Sequence, residues 1–168
     1  MTNAVPPPLE VSDARNLARA IALSTSARQA GKHPFAALVV AADGSVLAEA
    51  GNNSLRPEGD PTQHAELRAA QMASRAAAPA QLAGATLYSS AEPCAMCAGA
   101  IYWCGIGRVV YALSEHRLLQ LTGDHAENPT FSLPCREVFA RGQRNVEVIG
   151  PAMEDEAARA HEGFWKPL

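Results

Sequence analysis

The chain has 168 residues, 48% hydrophobic, 18% charged and 5% aromatic, with a formal charge of −3. That length suits one domain with a sizeable core, and a weakly acidic balance offers no electrostatic footprint to a polyanion, which sets nucleic acid aside as the main partner. The opening stretch MTNAVPPPLEVSDARN has no basic segment followed by an apolar one, and no apolar run approaches a membrane span, so a cytoplasmic protein with no membrane partner is expected.

Residues 1–10, with Pro6, Pro7 and Pro8, read as a flexible lead-in. Ser12 or Asp13 can cap a helix over 13–30 that carries Leu17, Ile21 and Leu23 on its apolar side and stops at Gly31. FAALVV and SVLAEA then read as two strands joined by a turn at Asp43-Gly44. A polar loop, NNSLRPEGDPTQ, leads into HAELRAAQMASRAAA, a stretch of strong helix formers. ATLYSS is a strand, and PCAMCAGAIYWCG is a helix with Pro93 in its first turn and Gly105 as its stop. RVVYAL is a strand, SEHRLLQL a short helix, PCREVFARG one or two helical turns, NVEVIG a last strand and MEDEAARAHEGFW a last helix. Helices alternating with single strands predict an α/β fold with a mostly parallel sheet, helices on both faces, and one hairpin at its start. No repeat or linker divides the chain, so 1–168 reads as one domain that ends in a helix and tail over 151–168.

Four cysteines stand at 94, 97, 104 and 135. In a reducing compartment a close pair points to metal binding or catalysis rather than to a structural bridge. Cys94 and Cys97 lie three residues apart in one helical turn and share a face. A helix N-terminus also favours the thiolate form that binds zinc. Cys104 lies seven residues beyond Cys97, roughly 10 Å along a regular helix, which two zinc–sulfur bonds of about 2.3 Å cannot span. It is therefore assigned to the core. His64 opens the other strong helix, and the meeting of two helix N-termini would bring it beside the sulfurs. One histidine and two cysteines leave a fourth position for water, as in a catalytic zinc site. Glu66, two residues from His64, does not stack with it on one face and is a candidate proton acceptor. Other readings remain: a redox dithiol fits Cys-x-x-Cys, and His64 and Glu66 taken alone are ordinary surface residues.

His-Ala-Glu at 64–66 and Pro-Cys-Ala-Met-Cys at 93–97 together resemble the signature of the zinc-dependent cytidine/deoxycytidylate deaminase superfamily. The likeness extends through PFAALVV, GNNSLRPEGDPTQHAE and SAEPCAMCAGAIYWCGIGRVVYA, about 80 residues that look like bacterial guanine deaminases and tRNA-adenosine deaminases. The resemblance implies a three-layer α/β/α fold around a mixed five-stranded sheet. It implies one Zn2+ per subunit on His64, Cys94 and Cys97, with Glu66 carrying protons between the attacking water, the ring nitrogen and the departing ammonia. It also implies that Asn53 and the backbone N–H of Ala65 hold the base, and that Phe35 and Trp103 form aromatic walls.

The stretch AIYW is more like guanine deaminases than the tRNA enzymes, and the acidic Glu154-Asp155-Glu156 opening of the last helix is ill suited to RNA. A small free base is thus the expected substrate: guanine first, then ammeline, isoguanine or cytosine. A tRNA-adenosine deaminase, or a deaminase-fold zinc protein without activity, is the alternative. Related enzymes use a second carboxylate as proton shuttle. Glu127, in the proline-bounded AENP, is the first candidate, followed by Asp124 and Glu115. His125 is expected to be exposed. The family commonly forms homodimers, and the terminal Phe164-Trp165 is a candidate for closing an active site, in its own subunit or its partner's.

Overall fold

The computed structural model describes residues 9–165. The proline run at 6–8 and residues 166–168 lie outside this range. The elements are α1 (Val11–Gln29), β1 (Ala36–Val40), β2 (Val46–Gly51), α2 (Ala65–Ala76), α3 (Pro79–Ala83), β3 (Thr86–Ala91), α4 (Ala95–Cys104), β4 (Arg108–Leu113), α5 (Glu115–Thr122), α6 (Cys135–Phe139), β5 (Glu147–Ile149) and α7 (Glu154–Ala158).

The five strands form one mixed sheet in the order β2-β1-β3-β4-β5. Its period-two alternation sorts side chains into two cores. Ala37 and Val39 of β1, Leu87 of β3, and Val109 and Tyr111 of β4 pack with α2, α4 and α6. Leu38 and Val40, Tyr88, and Val110 and Ala112 face the other way, toward α1, α5 and α7. β1 is buried along its whole length, and truncating its fully buried Leu38 to alanine would cost about 2–5 kcal/mol. Sheet, two helical layers and two cores make the three-layer α/β/α arrangement.

The sheet is less parallel than the order of elements suggests. β3 pairs parallel with β4, and β4 with β5, but β1 runs antiparallel to both β2 and β3. This direction gathers the site. Ala36 lies opposite Gly51, Ala37 opposite Ser89, and Ala91 opposite Leu113. The residues before β1 and those after β2, β3 and β4 therefore all emerge at one end of the sheet. The buried Glu92 carboxylate fastens that end: it accepts the N–H of Glu115 at 3.1 Å and that of Cys135 at 3.0 Å, the first amides of α5 and α6.

α7 stops at Ala158 rather than running to 165, and turns follow. The Arg28 guanidinium on α1 donates to Ala160 O at 2.9 Å and Arg159 O at 3.4 Å, carbonyls that a longer helix would use internally. α3 is a further short helix, started by Pro79, in a stretch to which the sequence assigned no element. No helix among the described residues is long and apolar enough to cross a membrane.

Candidate active site

Both metal-bearing segments begin at helix N-caps. His64 is the N-cap of α2 and Cys94 that of α4, and neither side chain caps its own helix, so both are free to point across the gap. Cys97 follows on the first turn of α4 and is fully buried. One ligand atom from each of these three residues lies within 4.8 Å of the others, and His64 Nδ1 is 3.6 Å from Cys94 Sγ. Bonds of about 2.0–2.1 Å to nitrogen and 2.3 Å to sulfur at a tetrahedral angle span about 3.6 Å. The donor set and its spacing thus fit zinc. Cys104 packs beside the α2–α4 core and Cys135 is buried at the start of α6, both outside this cluster.

Cys94 and Cys97 differ in acidity. Cys97 donates to Cys94, which brings the Cys94 thiol down to about 4 against the opposing effect of burial, and His64 adds to the lowering. Cys97, having given that hydrogen bond, is held well above the usual thiol range, and burial raises it further. Glu66 stands in the first turn of α2, 5% exposed. Ser89 Oγ–H donates to its Oε1 at 3.1 Å, while its Oε2 lies 3.6 Å from Cys97 Sγ. Burial pushes its carboxyl above the ordinary carboxylate range, with His64 opposing. A carboxyl poised beside a metal cluster, and outside it, is a proton carrier.

A cavity of about 500 Å³ opens above these groups, with His64, Glu66 and Cys94 in its lining. Phe35 and Glu127 both line it. Ala65 is buried at the first position of α2. Asp124 is exposed and absent from the lining, whereas Glu115 is in it. Burial, then the negative charge of Cys94, pushes Glu115 up to about 8.

Two expected contacts are displaced. Asn52, not Asn53, lines the cavity. The Asn53 amide turns into the following loop, where its Nδ2 donates to Gln63 Oε1 at 2.6 Å and Glu58 O at 3.3 Å. Gly59 permits that loop, since a Cβ there would sit 1.6 Å from Asn53 O. Trp103 is 78% exposed, with its ring edge-on to Tyr102 and no part in the cavity. It stands nine residues beyond Cys94, roughly 13 Å along the helix axis, at the wrong end of α4. The sequence reading also passed over His33, Asn52 and Ser54, all of which line the cavity. An asparagine pair at a strand end and a histidine just before a strand were the available signals.

The C-terminal aromatics reach the outer side of this wall within their own chain. Trp165 lies 5.1 Å from His33, 6.1 Å from Phe35 and 5.4 Å from His125, ring to ring. His125, expected in solvent, is thus half-buried against Trp165.

The family description "Cytidine and deoxycytidylate deaminase zinc-binding region" matches residues 11–113. A probable cytosine deaminase of Schizosaccharomyces pombe is 41% identical over 157 residues, 94% of each chain. The X-ray structure of guanine deaminase from Bacillus subtilis superposes with TM-score 0.59 at 39% identity, over 64% of this chain and 68% of that one. Guanine deaminase from Nitrosomonas europaea superposes with TM-score 0.71 at 25% identity, over 96% and 88%. The family match contains both helix starts that carry the metal donors, and Glu66 stands intact between them, so this chain belongs to the cytidine and deoxycytidylate deaminase family and is a zinc-dependent hydrolytic deaminase.

Proposed function

We propose that the chain deaminates a small free base, with cytosine and guanine as the first two candidates, converting ring C–NH2 and water to ring C=O and ammonia. The observation that carries this reading is the cavity itself: Glu66 beside the His64-Cys94-Cys97 cluster at one side, Asn52 and Phe35 at another. The relative alike over nearly the whole of both chains is a probable cytosine deaminase, which moves cytosine ahead of guanine, the base favoured on sequence alone.

Zinc held by His64, Cys94 and Cys97 would supply a Lewis acid that makes water nucleophilic at neutral pH. Glu66 takes one proton from the attacking water and hands it to the ring nitrogen, and the proton of the added hydroxyl then goes to the leaving amine as C=O forms and ammonia departs. Asn52 is the amide that grips the base, in the place first given to Asn53, and the Ala65 N–H, unpaired within its own helix, supports it. Phe35 packs on the ring. Glu127, at the cavity rim, carries the second proton toward departing ammonia, ahead of Glu115 and Asp124.

The active form under this reading is a cytoplasmic homodimer of single-domain subunits. Exposed Trp103 and Met96 on α4, and Met72 on the neighbouring α2, are apolar surface for a second copy to cover. The terminal Trp165 closes over its own subunit's wall, in keeping with its contacts to His33 and Phe35.

The test is ammonia release by zinc-loaded protein on cytosine, guanine, isoguanine, ammeline, adenine, the matching nucleosides and a tRNA anticodon stem-loop. Turnover of a free base and not of its nucleoside is the expected result. Turnover of the stem-loop alone would overturn it in favour of RNA editing.

A further inference from the structure

We propose that His33 is a positioning residue that joins the proton-carrying Glu127 on one side to the base-holding Asn52 on the other, so that one imidazole sets both groups; this rests on the deaminase reading above. His33 is 3% exposed, in the turn just before β1. Its Nε2 lies 3.1 Å from Glu127 Oε2, ninety-four residues away in sequence. Its Nδ1 lies 3.3 Å from Ser54 Oγ. Ser54 in turn donates twice to Asn52 Oδ1, from Oγ at 2.7 Å and from its backbone N–H at 2.8 Å. Both bonds go to the amide oxygen, so the amide nitrogen of Asn52 is the end presented to a substrate carbonyl.

Donor counting fixes the direction of the chain. The Ser54 hydroxyl has one hydrogen, and Asn52 Oδ1 receives it. The contact between Ser54 Oγ and His33 Nδ1 is then a hydrogen bond only when Nδ1 carries a hydrogen. Nε2 faces Glu127 Oε2 at hydrogen-bond distance, 3.1 Å. Reversing the ring would break the link to Ser54 and remove the contact that orients its hydroxyl toward Asn52 Oδ1. The C-terminal rings oppose such a reversal. Phe164 stands edge-on to the imidazole at 5.9 Å, and Trp165 leans on it at 5.1 Å. The inference therefore gives the chain end a task in this site: it holds the ring that holds Asn52 and Glu127.

Two near-isosteres separate the arms. The side-chain nitrogen of Asn falls near Nδ1 of histidine, and that of Gln near Nε2. H33N should keep the Ser54–Asn52 arm, with KM near wild type and kcat down roughly a hundredfold through a misplaced proton carrier. H33Q should keep the Glu127 arm and raise KM about tenfold, as loss of one oriented hydrogen bond would. Ser54→Ala leaves the buried ring in place and should reproduce the KM effect of H33Q without its packing change. Imidazole 15N shifts of the wild-type protein should show His33 protonated at Nδ1. A ring protonated at Nε2 alone, or three variants whose kcat falls only in proportion to their folded, zinc-loaded fraction while KM stays at the wild-type value, would overturn the role of His33 while leaving the deaminase reading intact. A wild-type protein that releases ammonia from no base would overturn both.

Discussion

The metal donors His64, Cys94 and Cys97 stand on the first turns of α2 and α4, whereas the facing wall of Asn52, Ser54, His33 and Glu127 stands on no helix or strand. The first group is held by regular geometry. Once two helices begin at the same end of a sheet, their N-caps and first turns converge, and three ligand atoms come within 4.8 Å of one another. The second group is held by itself, through a run of hydrogen bonds from Glu127 to His33 to Ser54 to Asn52. Under the proposed function the metal chemistry falls to the rigid half, and contact with the base falls to the half that loops can re-shape.

The largest effect should come from the rigid half. Cys97→Ala removes a fully buried ligand and leaves two donors, too few for a stable zinc site. Zinc measured after dialysis should fall to background and deamination should vanish. Zinc retained at one equivalent with activity intact would mean that the cluster is not the metal centre.

Glu66→Ala should separate metal from chemistry. The carboxylate is not among the clustered donors, so zinc content should stay at one equivalent while kcat falls roughly 10²–10⁴-fold, the range for a lost general acid–base. A loss of zinc in this variant would place Glu66 in the coordination shell and blur the division between ligand and proton carrier.

The difference between the two halves also decides what could be read from the sequence. His64, Glu66, Cys94 and Cys97 stood out because each pair lies within one helical turn and because, together, His-Ala-Glu and Pro-Cys-Ala-Met-Cys resemble the deaminase signature. Glu66 follows His64 by two, and Cys97 follows Cys94 by three. The choice between Asn52 and Asn53 was not legible, because it depends on where β2 ends and how the twelve residues before His64 fold back. The structure ends β2 at Gly51 and spends Asn53 on Gln63. His33 was invisible for a stronger reason, since its partner Glu127 is ninety-four positions away. The antiparallel run of β1 against β3 was hidden likewise, since a strand's direction in a sheet is set by the path of the connection and not by its own residues.

Asn52→Ala and Asn53→Ala turn that misplacement into a measurement. Asn52→Ala should raise KM about tenfold, the effect of one oriented hydrogen bond, with zinc unchanged. Asn53→Ala should leave KM near wild type and instead lower the melting temperature, because it frees Glu58 O and Gln63 in the loop. The opposite pattern would restore Asn53 as the base-holding residue and remove the link from His33 to substrate.

The smallest effect is expected at the far end of α4. This helix is apolar nearly all round, and its buried face is Cys97, Ala98 and Ile101. Its first turn belongs to the site, while Trp103, near its last residue, has most of its ring in solvent. Trp103→Ala removes no core contact that a folded subunit depends on and touches nothing in the cavity. Deamination per zinc-loaded site should match wild type, with both KM and kcat preserved, and any change should appear in self-association, read by sedimentation. A raised KM would bring Trp103 back to the base as the aromatic wall expected from its sequence neighbours, and would require a substrate-bound cavity that extends two turns farther along α4 than the one lined by Met96 and Cys94.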